Sequence, residues 1–198
     1  MAGLASGLAG PGLARSRPTL TILGDSITSG YGLRPADSLP RQLGLALARR
    51  GADWRVHGAG VAGDTTGRAL QRLDRSLAAN TRLCIVALGA NDVLIGAPPE
   101  QFGANLTSIL DRLSSRRIPV ILAGLRLPPY LGARYADDFN AVFADLGRRA
   151  GVTLIPNWLE GVVGDPRLNQ PDRIHPNAAG VRRIAERLAD AVVKVAPR

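Results

Sequence analysis

At 198 residues, nearly half of them apolar, the chain is long enough to bury a core without staples, and its single cysteine, Cys84, excludes an internal disulfide. The net charge of +9 raises nucleic-acid binding, but Arg49-Arg50, Arg116-Arg117 and Arg148-Arg149 each fall in the last turn of a predicted helix, where cations complement the helix dipole. The few aromatic residues are dispersed, the two histidines show no zinc-site spacing, and no apolar run approaches the ~20 residues of a membrane span, so nucleic acid, metal and stable membrane insertion are not expected.

Residues 1–17, rich in Gly, Ala and Leu around Pro11, are read as a disordered leader, and residues 18–198 as one domain. A secretory signal carries its basic residues before the apolar centre; here Arg15 and Arg17 follow it, which favours a cytoplasmic over an exported chain. The segment Thr19–Leu23 alternates β-branched and leucine residues over a span too short for a helix and then breaks at Gly24-Asp25. It predicts a strand that delivers Ser26 at its tip. A serine there is either a helix N-cap or, at the ligand-binding edge of an open α/β sheet, a reagent. The stretch Ile27–Pro40, with Gly30, Gly32 and Pro35, reads as a loop, and Leu39 to Arg50 as a helix stopped at Gly51.

Trp54–His57 predicts a second strand, with His57 as a packed or hydrogen-bonded structural histidine. The following glycines, Gly58, Gly60 and Gly63, match G-x-G-x-x-G and lead to a helix capped by Thr65 or Thr66. A dinucleotide fingerprint would need an acidic residue at the end of the next strand, yet Leu83–Leu88 runs into Gly89-Ala90. A P-loop would need lysine where Asp64 stands. What remains is a backbone able to approach a ligand, with N–H groups at a helix N-terminus.

Leu83–Leu88 is the third strand, with Cys84 as a small buried hydrophobe and Asn91 just beyond its tip. A helix with Phe102, Leu106, Ile109, Leu110 and Leu113 at helical spacing follows, then a strand at Pro119–Ala123. Gly124–Tyr135 is irregular enough to be a binding loop; a helix from about Ala136 to Arg149 and a strand at Val152–Ile155 come next. Five strand-then-helix repeats predict an α/β fold with a parallel sheet covered on both faces. A longer excursion ends at Asp172-Arg173-Ile174-His175-Pro176-Asn177, where Pro176 suits the first turn of the last helix. Asp and His three apart can place a carboxylate on one imidazole nitrogen and leave the other to face a serine. Alone, the pair reads equally as a solvated cap.

Together, Ser26, the Gly63 loop, Asn91 and the Asp172/His175 pair can fill the roles of acyl transfer: nucleophile, base, orienter and oxyanion donors. The absence of G-x-S-x-G argues against a nucleophile elbow. With Gly24-Asp25-Ser26, Gly60 to Thr65, Gly89 to Asp92 and Asp172 to His175 as four blocks in order, the sequence resembles the SGNH (GDSL-type) hydrolase family. That resemblance implies a three-layer α/β/α sandwich with a five-stranded parallel sheet of flavodoxin-like order. It implies Ser26 as nucleophile, His175 as base, Asp172 as orienter, and an oxyanion hole from the N–H groups of Ser26 and Gly63 and the amide of Asn91. Leu125-Arg126-Leu127-Pro128-Pro129 with Tyr130 is similar to the substrate loop of the bacterial thioesterase I, lysophospholipase L1 and arylesterase branch.

The resemblance also implies Asp25, Leu127, Pro128, Tyr130 and Ile174 as substrate contacts, no cofactor, and a small ester or acyl thioester as partner; a homo-oligomer is compatible with it. The competing readings are a carbohydrate O-acetyl esterase with the same triad, a flavodoxin-like nucleotide binder using Gly58–Gly63, and a catalytically silent interaction domain.

Overall fold

Five strands, β1 (Thr19–Gly24), β2 (Arg55–Gly60), β3 (Thr81–Ala87), β4 (Val120–Ala123) and β5 (Val152–Ile155), pair in parallel in the order β2-β1-β3-β4-β5 in the computed structural model, which describes residues 17–195. This is the flavodoxin-like order, with the switch point between β1 and β3 and a crevice at their carboxyl ends. The leader reading falls, but for Arg17, outside the described residues.

The helices are α1 (Ser26–Ser29), α2 (Leu39–Arg49), α3 (Thr66–Ser76), α4 (Ala90–Leu94), α5 (Pro99–Ser115), α6 (Ala133–Leu146) and α7 (Ala178–Val195). β1 is buried at every position, as a central strand covered on both faces must be. Leu20 and Ile22 pack with Leu43 and Leu47 of α2 and Ile184 and Leu188 of α7 on one face. On the other, Leu23, Val86 and Leu122 pack with α3, α5 and α6 around Phe102 and Phe139, whose rings stack at 4.2 Å. Each fully buried Leu, Ile or Phe in these two layers contributes about 1.5–3 kcal/mol of transfer free energy. Inside the sheet, Thr21 of β1 and Thr81 of β3 share a hydroxyl hydrogen bond of 2.8 Å, so neither buried polar group is left unpaired. None of the described helices is long and apolar enough to cross a membrane.

Several local readings change. β2 continues through Gly60, so Gly58 and Gly60 belong to a strand and not to a phosphate-binding loop. The reason is close approach. A Cβ at Gly58 would lie 2.4 Å from the Pro40 ring, and one at Gly60 would lie 2.4 Å from the Ser29 nitrogen. The glycines let α1 and the start of α2 rest on the strand, which removes the nucleotide-binding reading of Gly58–Gly63.

The last helix begins after Asn177, whose Oδ1 accepts from the N–H groups of Ala179 and Gly180, so Pro176 precedes the cap and lies outside the first turn. Arg148 and Arg149 lie beyond the end of α6. The arginine pairs mainly tie helices together. Arg49 and Arg50 bind Glu186 and Asp190 of α7, Arg116 binds Asp74 of α3, and Arg149 binds Asp111 of α5. Such exposed pairs contribute little each, about 0–1 kcal/mol.

Candidate active site

β1 ends at Gly24, where a Cβ would lie 2.1 Å from the Thr28 hydroxyl and 3.0 Å from the Ala87 carbonyl, so only glycine lets the chain turn directly into α1. Asp25 caps that helix, its Oδ1 accepting from the Ile27 N–H at 3.1 Å. The cap that a serine could have supplied comes from its neighbour, and the Ser26 hydroxyl faces His175 instead, Oγ to Nε2 at 3.0 Å.

His175 Nδ1 lies 2.6 Å from Asp172 Oδ2, while Asp172 Oδ1 accepts from the backbone N–H groups of Ile174 and His175 at 3.0 Å each. The hydrogen bond from His175, followed by those from the backbone, holds the Asp172 carboxyl well below the ordinary range, at about 2. An ionised Asp172 can only accept, so Nδ1 carries a proton, and in the neutral ring Nε2 is left as the acceptor for Ser26 Oγ–H. The intervening Arg173 has φ 59, the left-handed conformation that folds Asp172 back beneath the ring. The Tyr31 ring lies 4.7 Å from that of His175.

Gly63 and Asn91 meet Ser26 at the same rim. Gly63, with φ 80 and open space where a Cβ would stand, turns the chain between β2 and α3. Asn91, on the first turn of α4, donates Nδ2–H to the Asp64 carbonyl at 2.9 Å and reaches Asp25 Oδ2 at a longer 3.4 Å. The first bond fixes the amide's direction; the hydrogen in the longer contact is the one free to exchange partners. Gly63 N–H and Ser26 N–H have no acceptor among the described residues.

Asp64, which stands where a P-loop has lysine, is buried and paired with Arg72 at 2.5 Å. Arg72 also donates to the Gly24 carbonyl at 2.9 Å and to Ser76 Oγ at 2.8 Å, which joins the end of β1 to the Gly63 turn. Sequence reading passed over Arg72. No helical spacing marks it, because Asp64 precedes the Thr65 cap and lies outside α3.

Asp25 stands in the cleft wall, but its carboxylate is engaged by the Ile27 N–H and the Asn91 amide. Burial pushes its pKa up to about 6. A carboxyl that titrates near 3.9 unfolded and near 6 folded supports the fold fully below the lower value and loses that contribution as pH rises through the higher one. Asp25→Asn is therefore expected to flatten the fall of Tm between about pH 4 and 6, and thermal melts across that range check it. Equal slopes in variant and wild type would refute the assignment.

The site opens into a cleft of about 650 Å³ with a mainly apolar wall. Leu127, Pro128, Tyr130 and Ile174, which the resemblance implies as substrate contacts, all line it. Leu127 is fixed from behind by Asn140, whose side chain exchanges hydrogen bonds of 2.8 and 3.0 Å with its backbone. Tyr130 sits on a 3₁₀ turn, Pro129–Leu131, and is 86 % exposed. Tyr31, Leu159 and Val163 also line the cleft and carried no motif in the sequence. His57 is exposed on edge strand β2 and makes no side-chain hydrogen bond among the described residues, contrary to the packed role expected of it. Cys84 is fully buried, with its thiol pushed up to about 12, and is no nucleophile.

Residues 22–183 match the model of the GDSL-like Lipase/Acylhydrolase family. An arylesterase of Vibrio mimicus is 36 % identical over 176 residues, 88 % of each chain. Esterase TesA of Pseudomonas aeruginosa is 37 % identical over 85 % of this chain and 84 % of its own. Thioesterase 1/protease 1/lysophospholipase L1 of Escherichia coli is 33 % identical over 89 % of this chain and 84 % of its own. The crystal structure of AlinE4, an SGNH-hydrolase family esterase, superposes with a TM-score of 0.75 at 39 % identity, covering 92 % of this chain and 98 % of that one. With the four sequence blocks gathered on one rim of the sheet and the match running through most of the chain, the protein belongs to the GDSL-like lipase/acylhydrolase family.

Proposed function

We propose that this ester hydrolase works through an acyl-enzyme on Ser26. The observation that carries the reading is the continuous chain Ser26 Oγ, His175, Asp172, at 3.0 and 2.6 Å, at the mouth of an apolar cleft. His175 Nε2 takes the Ser26 proton as Oγ attacks the ester carbonyl, and Asp172 stabilises the imidazolium that forms. The developing oxyanion is held by the N–H groups of Ser26 and Gly63 and by Asn91 Nδ2, which trades its long contact with Asp25 for the new negative charge. His175 then returns the proton to the leaving alcohol, phenol or thiol, and a water activated by the same ring releases the acid.

The apolar wall favours aryl or acyl esters, acyl thioesters and lysophospholipids over O-acetylated sugars, which call for convergent polar groups. Hydrolysis of p-nitrophenyl esters of increasing acyl length tests the reading, with an optimum beyond acetate expected. In that assay Asn91→Ala is expected to lower turnover by roughly 100- to 1000-fold. Unchanged turnover in Asn91→Ala would remove Asn91 from the oxyanion hole; a strict acetyl preference would return the carbohydrate reading.

A further inference from the structure

Ser26 and His175 are 149 residues apart, and the 3.0 Å contact between them joins two separate segments: the short helix α1, which runs into the turn at Tyr31, and the loop that precedes α7. We infer that Gln170 is a positioning residue that sets the distance between these segments, an inference that rests on the serine-hydrolase reading above. Its Nε2 donates to the Tyr31 carbonyl at 2.9 Å and to the Pro176 carbonyl at 3.1 Å. Its backbone N–H donates to the His175 carbonyl at 2.8 Å, and its own carbonyl accepts from the Arg173 N–H at 2.9 Å.

One residue thus grips the histidine loop at Arg173, His175 and Pro176, and the nucleophile's turn at Tyr31, whose ring lies against His175. The amide is seated on the bare face of Gly32, where a Cβ would stand 2.1 Å from Gln170 Oε1. An amide fits here because both of its Nε2 hydrogens point at carbonyl oxygens; a carboxylate of the same shape would repel both, and an alkyl group would leave both unpaired.

A residue that acts only on stability would lower Tm and leave turnover per folded molecule unchanged. A residue that sets the reacting distance lowers kcat with little effect on KM, because Gln170 itself does not line the cleft that takes the ester. Gln170→Leu and Gln170→Glu are each expected to lower kcat about tenfold or more against a p-nitrophenyl ester, with KM within about twofold, since a misplacement of about 1 Å can cost up to 100-fold. Gly32→Ala, which displaces the amide and, at φ 71, also strains the turn that carries Tyr31, is expected to reproduce that signature. Combined with Gln170→Leu it is expected to add no further loss, the non-additivity of two changes acting through one contact.

Ser26→Ala in the same assay separates the two readings. If it retains turnover, the serine mechanism fails. If it is silent while Gln170→Leu, Gln170→Glu and Gly32→Ala all keep kcat within about twofold of wild type, Gln170 does not position the base and the inference is overturned. Should the Gln170 variants fail to fold, a Gly32→Ala kcat within about twofold of wild type still overturns the inference.

Discussion

Ser26→Ala is expected to lower turnover of p-nitrophenyl esters by roughly 10⁵- to 10⁶-fold at unchanged folding, leaving only what the oxyanion donors and the cleft supply. The size of the loss follows from the geometry. Among the described residues the Ser26 hydroxyl, at 3.0 Å, is the one nucleophile in hydrogen-bond reach of His175 Nε2. His57 lies on edge strand β2 opposite Thr21, back from the carboxyl end where Ser26 stands, and Cys84 is sealed in the sheet with its thiol held protonated. Because Asp25 rather than Ser26 caps α1, removing the hydroxyl breaks no bond that the helix needs. Matched melting curves for the two proteins are expected on that ground. Turnover within tenfold of wild type would exclude Ser26 as the nucleophile.

Arg72→Met is expected to destabilise the protein by about 3–5 kcal/mol, because it strands the Asp64 carboxylate where Arg72, at 2.5 Å, is its buried partner. Arg68 lies 3.7 Å away on the exposed side and offsets little of this. The same change releases the Gly24 carbonyl at the end of β1 and loosens the turn whose Asp64 carbonyl fixes Asn91. Activity should therefore fall in the fraction that still folds. Denaturant unfolding measures the first effect, and kcat per folded molecule the second. Asp64→Asn in the Arg72→Met background removes the stranded charge and is expected to recover part of the stability; a single-variant cost below about 1 kcal/mol would show that the pair does not matter.

The sequence was most legible where chemistry is local. β1 and β5 follow from short β-branched runs, α5 from its apolar spacing, and the Asp172/His175 geometry from a three-residue turn. Gly58 and Gly60 misled because glycine signals a turn in sequence, whereas here it answers a steric demand from Pro40 and Ser29, elements distant in the chain. α1 escaped because four residues carry no helical period, and its cap, Asp25, had been assigned to substrate. Arg72 and Gln170 escaped for a related reason. Both reach backbone carbonyls, at Gly24, Tyr31 and Pro176, which leave no mark in an amino-acid sequence, and the carboxylate that Arg72 also binds, Asp64, lies before the cap of its helix.

The distance along the chain between Ser26 and His175 also sets a timetable. Synthesis runs from the amino end, and N-terminal segments of a protein can organise while the rest is still being made. All five strands and the nucleophile precede residue 156, but the base arrives only at 175, and α7, which shares one face of the sheet with α2, is completed after that. On the serine-hydrolase reading, a nascent or truncated chain that ends between Asn91 and His175 holds the serine and all three oxyanion donors without a group to draw off the proton. On that reading ester turnover begins only once synthesis has passed His175, so it reports that the chain has been made through this residue as well as its chemistry.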